Sequence, residues 1–168
     1  DMDHDGDLDL VTQNCQWGEV NYIRVALNDG AGAFTLSHWI ATPGENGKDP
    51  VAGLNRNPKG ITITDADGDD LPDVAWSGSD VTVANGVTVL LGNAGHPGEL
   101  LAPPLLDAGA RLSRDPSWNA QQVRIADWDE DGTQDLVVLR DDDIVWRKGD
   151  GSGRFDAPEV IVTRAAST

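Results

Sequence analysis

Three acidic segments of similar pattern recur along the chain, at residues 1–10, 65–74 and 127–136. Each carries aspartates at positions one, three, five and nine, and an aliphatic residue at position ten. Four carboxylates so close together repel one another unless a cation lies among them. Ca²⁺ suits such a site, because it takes roughly six to eight oxygen ligands in a flexible geometry. The segments therefore predict about three calcium ions bound mainly by carboxylates.

The three segments are named loop 1, loop 2 and loop 3 in chain order. Position seven varies in residue type, so we expect it to supply its main-chain carbonyl. Position six must allow a positive φ, which Gly6 and Gly132 meet, and Asp70 of loop 2 is a residue type that tolerates it. The predicted ligands are Asp1, Asp3, Asp5, Asp7 and Asp9 in loop 1, Asp65, Asp67, Asp69, Leu71 and Asp73 in loop 2, and Asp127, Asp129, Asp131, Thr133 and Asp135 in loop 3.

An EF-hand begins with a similar run of aspartates but needs a glutamate at position twelve and flanking helices. Position twelve here holds Thr12, Trp76 and Val138. The residues after each loop are instead strand-like, so we expect each loop to join two strands of a hairpin. A metal-free alternative is that the aspartates form turns through hydrogen bonds to the backbone.

The acidic loops start 64 and 62 residues apart, a period that suits a repeated four-stranded unit. Turns rich in glycine and asparagine recur at 27–34, 92–100 and 148–155 and predict a second hairpin in each repeat. No amphipathic helix pattern occurs, so the predicted fold is all-β. Strands are predicted at 10–14, 20–27, 34–42, 61–63, 74–77, 87–91, 99–106, 122–126, 136–140, 144–147 and 159–163.

The pattern Asp-x-Asp-x-Asp-Gly-x-x-Asp-aliphatic between strands resembles the FG-GAP or VCBS repeat of integrin α-subunit-like β-propellers. The resemblance implies β-propeller blades of four antiparallel strands, about three of which are present in a single segment over 1–168. Blade one would span about 1–42 and lack its first strand, blade two about 60–106 and blade three about 121–163. We expect a partial propeller or a fragment of a roughly seven-bladed ring, with closure by oligomerisation as the alternative.

The resemblance also implies a calcium-stabilised adhesion or ligand-recognition module that is extracellular or at the cell surface. A protein or glycan ligand would bind the face opposite the metal loops, and the remaining blades would be further partners. Alternatives are the scaffold of a carbohydrate-active enzyme, such as a polysaccharide lyase or sugar dehydratase, and a lectin. Candidate ligand-face residues are Trp17, Arg56, Arg111, Arg114 and Trp118, although these tryptophans also suit gaps between blades and the arginines suit solvent.

Charge and composition narrow the kinds of partner and activity that the chain could have. The formal charge of −17 comes from 29 acidic against 12 basic residues, which disfavours nucleic acid and anionic membrane as partners. The absence of a long apolar run excludes membrane insertion. The three histidines lie apart, in a loop, a strand and a turn, and none pairs with a nucleophile, so no catalytic constellation is visible. Cys15 is the only cysteine, either a buried inert thiol or one with a partner outside this chain.

Overall fold

The computed structural model of the chain describes residues 1–13, 21–42, 58–78, 86–101, 111–112, 120–140 and 143–163. These ranges form three antiparallel sheets and contain no helix. The first sheet has the order β1-β2-β3. Its strands are β1 (Leu10–Gln13), β2 (Asn21–Asn28) and β3 (Phe34–Thr42).

The second and third sheets each have four strands that follow one another in chain order, so every strand pairs with its sequence neighbour. The second sheet contains β4 (Pro58–Thr64), β5 (Asp73–Gly78), β6 (Gly86–Leu90) and β7 (Arg111–Leu112). The third contains β8 (Ala120–Ala126), β9 (Asp135–Arg140), β10 (Asp143–Arg147) and β11 (Glu159–Thr163). No helix among the described residues has the length and apolarity needed to span a membrane.

The all-β prediction is confirmed, and ten of the eleven predicted strands lie where the pattern placed them. Strands β3 and β11 have the predicted bounds, because glycine-rich turns and a change in apolar pattern mark their ends clearly. Each acidic loop joins two paired strands where both are described: loop 2 connects β4 to β5, and loop 3 connects β8 to β9. The hairpin interpretation therefore holds for both, in place of the helix-flanked EF-hand.

The prediction of a strand at 99–106 is wrong within the described residues. Leu100 makes a single bridge to Gly92, and the strand that pairs with β6 is β7, at Arg111–Leu112. Residues 102–110 lie outside the described ranges. Pro103 and Pro104 of the predicted strand lack the N–H that a continuous ladder needs, so the sequence indicated a strand there only weakly. Arg111 accordingly lies in a strand and not in the connection that was predicted to form a ligand face.

The three sheets stack in chain order, and two hydrophobic cores lie between them. One core joins the first and second sheets and the other joins the second and third, so both faces of the second sheet are covered. Along β5, Val74 and Trp76 belong to the first core, while Ala75 between them belongs to the second. The first core contains Met2, Ile23, Val25, Val74, Trp76, Leu90 and Leu100, and the second contains Ala66, Ala75, Val87, Val89, Val123, Ile125, Leu136, Val138, Val145 and Phe155.

Equivalent positions of the repeats face equivalent directions. The aliphatic residue at loop position ten faces the preceding sheet, as Val74 and Leu136 show, both of which are fully buried. The residue at loop position two faces the following sheet, as Met2 and Ala66 do. This direction explains why the same positions are exposed at the two ends of the stack, where Leu10 is 48% exposed and Trp128 54% exposed.

Each end of the stack presents a partly exposed apolar surface. On the first sheet Leu10, Ala26 and Leu36 lie side by side, because Ala26 pairs with both of the others. On the third sheet Ile144 pairs with Leu139 and Val162 and thereby brings these three together. Leu36 is 53% and Val162 52% exposed. The outward faces of the two end sheets are therefore apolar and partly exposed, whereas both faces of the second sheet are covered.

Candidate metal centres

All three acidic loops have positive φ angles at the same two positions. Position six has a positive φ in each loop, as the sequence predicted, including the non-glycine residue of loop 2. Position four also has a positive φ in each, which could not be predicted because its residue type varies. Two of these three position-four residues are not glycine, and such a conformation carries strain for them. The φ angles are 63°, 80° and 60° at His4, Gly68 and Glu130, and 97°, 67° and 91° at Gly6, Asp70 and Gly132.

The carboxylate at position one holds the turn of each loop. Its Oδ2 accepts a hydrogen bond from the N–H of position six, with N···O distances of 3.1, 3.0 and 3.0 Å in loops 1, 2 and 3. The Oδ1 of position five accepts one from the N–H of position seven, at 2.9, 2.9 and 2.8 Å. These bonds occupy one side of the carboxylates and leave lone pairs for a cation, since a carboxylate offers roughly four acceptor sites.

The carboxylate at position nine connects each loop to the second hairpin of its own repeat. In loop 2, Asp73 accepts the N–H of Ala66 on Oδ2 at 2.7 Å and the N–H of Gly92 on Oδ1 at 2.7 Å. Asp135 does the same with Trp128, at 3.0 Å, and with Gly149, at 2.8 Å. In loop 1, Asp9 accepts the N–H of Met2 and that of Asn28, the latter at 2.8 Å. The acidic loop and the glycine-rich turn of a repeat therefore lie together at one end of its sheet.

One trio of aspartates in each loop brings a carboxylate oxygen from every member within 4.8 Å of the others. Such a trio of hard oxygen donors could hold a metal ion. The trios are Asp1, Asp3 and Asp5 in loop 1, Asp65, Asp67 and Asp73 in loop 2, and Asp127, Asp129 and Asp135 in loop 3.

The other predicted ligands lie outside these trios. Asp9 is used by the two backbone N–H groups described above, and Asp69 accepts the N–H of Leu71 at 2.9 Å. Asp131 accepts hydrogen bonds from both the N–H and the hydroxyl of Thr133. A ligand role for Asp7, Leu71 and Thr133 stays a prediction from the sequence.

Loop 2 contains carboxylates whose burial disfavours the charged form. Asp73 is only 1% exposed, and burial raises the pKa of its carboxyl to about 7 even though the N–H groups of Gly92 and Ala66 oppose the shift. Burial and then the neighbouring charge of Asp69 raise the pKa of Asp67 as well. The Oδ1 atom of Asp67 is buried and has no hydrogen-bond partner. A buried carboxylate oxygen without a donor fits a divalent cation in this loop.

Loop 3 differs because a lysine side chain reaches into it. The ammonium of Lys148 forms ion pairs with Oδ2 of Asp129 and Oδ2 of Asp131. Lys148, and then the hydroxyl and N–H of Thr133, hold the pKa of Asp131 well below its usual range. Burial works against the charged form of Asp135, but the hydrogen bond from Gly149 N–H outweighs it with help from the other donors, so the pKa of Asp135 is lowered. Lys148 could not be identified from the sequence, because it lies 19 residues from Asp129 and meets it only across the hairpins.

The predicted ligand face is not assembled by the described residues. Trp17, Arg56, Arg114 and Trp118 lie outside the described ranges, and only the backbone of Arg111 is described, in β7. Their shared role in binding a protein or glycan therefore stays a prediction.

The fold and the loops define a repetitive all-β protein in which acidic loops recur at one end of successive antiparallel sheets. Residues 1–76 match the family model of the FG-GAP-like repeat, a range that includes loop 1, the first sheet, β4, loop 2 and part of β5. The resemblance to FG-GAP repeats is thereby confirmed. No curated protein and no solved structure matches the chain.

Proposed function

We propose that the chain is a calcium-stabilised part of an extracellular β-propeller that serves as an adhesion or ligand-recognition module. The observation that carries the calcium part is the buried, unpartnered Oδ1 of Asp67 within a converging trio of aspartates. An unpaired buried charge costs several kcal/mol unless a cation or a proton neutralises it. The rise in the pKa of Asp73 to about 7 indicates how strongly the loop favours neutralisation.

The donor set favours calcium over other metals. Every candidate ligand is an oxygen of a carboxylate or a main-chain carbonyl, and hard oxygen donors select Ca²⁺ and Mg²⁺ over Zn²⁺ or copper. Mg²⁺ demands a near-ideal octahedral geometry and gives up its water reluctantly, whereas Ca²⁺ accepts irregular arrangements. Several aspartates of each loop are already fixed by backbone N–H groups, and a loop constrained in this way suits the more tolerant ion.

Calcium removal tests this proposal through stability. An ion that binds only the folded protein stabilises it by RT ln(1 + [L]/Kd), about 2.7 kcal/mol at a hundredfold excess over Kd. We expect thermal melting in calcium to occur several degrees above melting in a chelator, and calorimetry to report binding of about three ions.

Two variants test whether the stabilisation by calcium depends on loop 2. Asp67→Asn keeps the size of the side chain and removes a charge from the loop 2 trio, so calcium should stabilise this variant less than the unmodified chain. Asp29→Asn is the matched control, because Asp29 lies in a glycine-rich turn and accepts the N–H groups of Ala31 and Ala33. An identical melting temperature with calcium and with chelator would remove the metal from the proposal.

The apolar ends of the stack support the propeller part of the proposal. Leu10 and Leu36 on the first sheet, and Leu139 and Val162 on the third, occupy surfaces of the kind that the second sheet buries on both sides. Further sheets of the same repeat would cover them and continue the stack toward a ring. Small-angle scattering and light scattering of the chain would test this, since ring closure by copies of the chain gives a closed oligomer and a lone segment gives a monomer.

Ligand recognition would use the face opposite the acidic loops, where Trp17 and Trp118 are the aromatic candidates. Aromatic rings stack on sugar faces and arginines pair with carboxylates. Screening the chain on a glycan array tests the glycan form of the proposal, and Trp17→Ala with Trp118→Ala should abolish any binding found. Binding that survives both substitutions would place the ligand elsewhere.

A further inference from the structure

Lys148 occupies a position that is apolar in the other two repeats. The residue that follows it, Gly149, donates its N–H to the position-nine carboxylate of loop 3. Asn28 and Gly92 make the same bond in the first and second repeats. The residues that precede them are Leu27 and Leu91, which pack against the two hydrophobic cores.

This position lies beside loop position three in every repeat. A Cβ built on Gly98 would lie 3.0 Å from Leu27 and 3.4 Å from Cβ of Asp3, so the side chains of Leu27 and Asp3 are neighbours. A Cβ on Gly153 would lie 2.9 Å from Leu91 and 3.6 Å from Cβ of Asp67. In the third repeat the same neighbour of position three is a lysine, whose ammonium contacts Asp129 directly.

We infer that Lys148 is a tethered cation that competes with the metal for loop 3 and weakens calcium binding there. The inference rests on the proposed calcium function. Lys148 pairs with Asp129, a member of the loop 3 trio, and with Asp131, another predicted ligand. A metal ion that uses those oxygens must displace the ammonium.

The exposure of the pair indicates how large the competition is. The side chain of Lys148 is 42% exposed, and those of Asp129 and Asp131 are 27% and 32% exposed, so water screens the ion pairs. Exposed pairs of this kind contribute little, so the ammonium should change the affinity of loop 3 for a cation by up to about fivefold. The ammonium therefore weakens the site without abolishing it, and a doubly charged ion at sufficient concentration replaces it.

The test uses the tryptophan of loop 3 as a local reporter. Trp128 lies at loop position two and donates its N–H to Asp135, a member of the trio, so it is placed to sensitise the emission of a terbium ion bound there. Trp128→Phe assigns the loop 3 part of the signal. Terbium is titrated into the unmodified chain, Lys148→Met and Lys148→Arg, with Lys59→Met as a control that removes the same charge from strand β4.

We expect Lys148→Met to lower the terbium concentration for half-saturation of loop 3 about fivefold, while Lys59→Met and Lys148→Arg leave it close to that of the unmodified chain. In a chelator Lys148→Met should also melt below the unmodified chain, since its carboxylates lose their counter-charge, and calcium should remove that difference. Lys148→Gln serves as a second neutral variant if the methionine perturbs folding.

Unchanged or weaker terbium binding in both neutral variants would overturn the competition, even where calorimetry shows that the chain binds calcium. The calcium proposal would then stand without it. If calorimetry detects no calcium or terbium binding in the unmodified chain, the proposed function fails, and the competition at loop 3 fails with it.

Discussion

The second sheet and the two outer sheets are built from the same repeat, yet equivalent residues have different surroundings. Val74 and Leu136 at loop position ten are fully buried against the preceding sheet, whereas Leu10 at the same position is 48% exposed. Leu100 and Phe155, the apolar residues that directly follow the glycine-rich turns, are 3% and 9% exposed. The equivalent residue of the first repeat, Phe34, is 46% exposed. The repeat thus specifies which way a residue points, and the neighbouring sheet decides whether that residue contributes to stability.

The largest expected difference is between two leucines at the same loop position. Leu136→Ala removes a side chain that is fully buried in the second core and should lower the free energy of unfolding by about 2–5 kcal/mol. Leu10→Ala removes the same atoms from a half-exposed site and should cost less than about 1 kcal/mol. Urea denaturation of both variants measures the two costs, and equal costs would break the comparison between outer and inner faces.

The carboxylates at position nine give the next largest difference. Asp73→Ala leaves the N–H groups of Ala66 and Gly92 without their acceptor in a buried site, which should cost about 2–3 kcal/mol. Asp9→Ala also frees two N–H groups, but Asp9 is only half-buried, so water can reach them and the cost should be smaller. Both variants are to be melted in a chelator, so that lost metal binding does not contribute. A larger loss of stability for Asp9→Ala than for Asp73→Ala would show that burial does not determine the size of the effect.

The smallest difference is expected between two glycines of the turns that follow β2 and β6. Gly32 and Gly98 have φ angles of 88° and 82°, so alanine at either costs about 1 kcal/mol from the backbone alone. A Cβ at Gly32 meets nothing within 4 Å, whereas one at Gly98 meets Leu27 of the preceding repeat at 3.0 Å. Gly98→Ala should therefore lower the melting temperature more than Gly32→Ala does. Equal shifts in thermal melting would show that the turn of one repeat does not pack closely on its neighbour.

Local features of the fold could be predicted from the sequence, whereas contacts between residues far apart in the chain could not. The local sequence alone determines the positive φ at position six of each acidic loop and the bounds of β3 and β11. The strand at Arg111–Leu112 was missed because two residues carry too little pattern to be recognised. Lys148 was missed for another reason. An isolated lysine near a turn is usually solvated, and only the pairing of the hairpins places this one beside Asp129.

The calcium loops show the same limit. The spacing of the aspartates predicts a cluster, and the structure brings three of them together in each loop. The spacing could not show that Asp9, Asp73 and Asp135 each also accept two backbone N–H groups, because the second donor lies 19, 19 and 14 residues further along the chain. The chemical identity of the loops is thus local, whereas their connection to the rest of the repeat depends on strand pairing.

Because each core is shared by two adjacent sheets, opening of the stack should begin at its ends and move inward. Amide protons would record this order as a gradient of exchange with deuterated solvent. The amides of Ala66 and Gly92, both held by Asp73 in the covered middle sheet, would keep their protons longest. That of Asn28, held by Asp9 in the first sheet, would lose its proton sooner, so that a protein built from one repeated unit would unfold in a defined order.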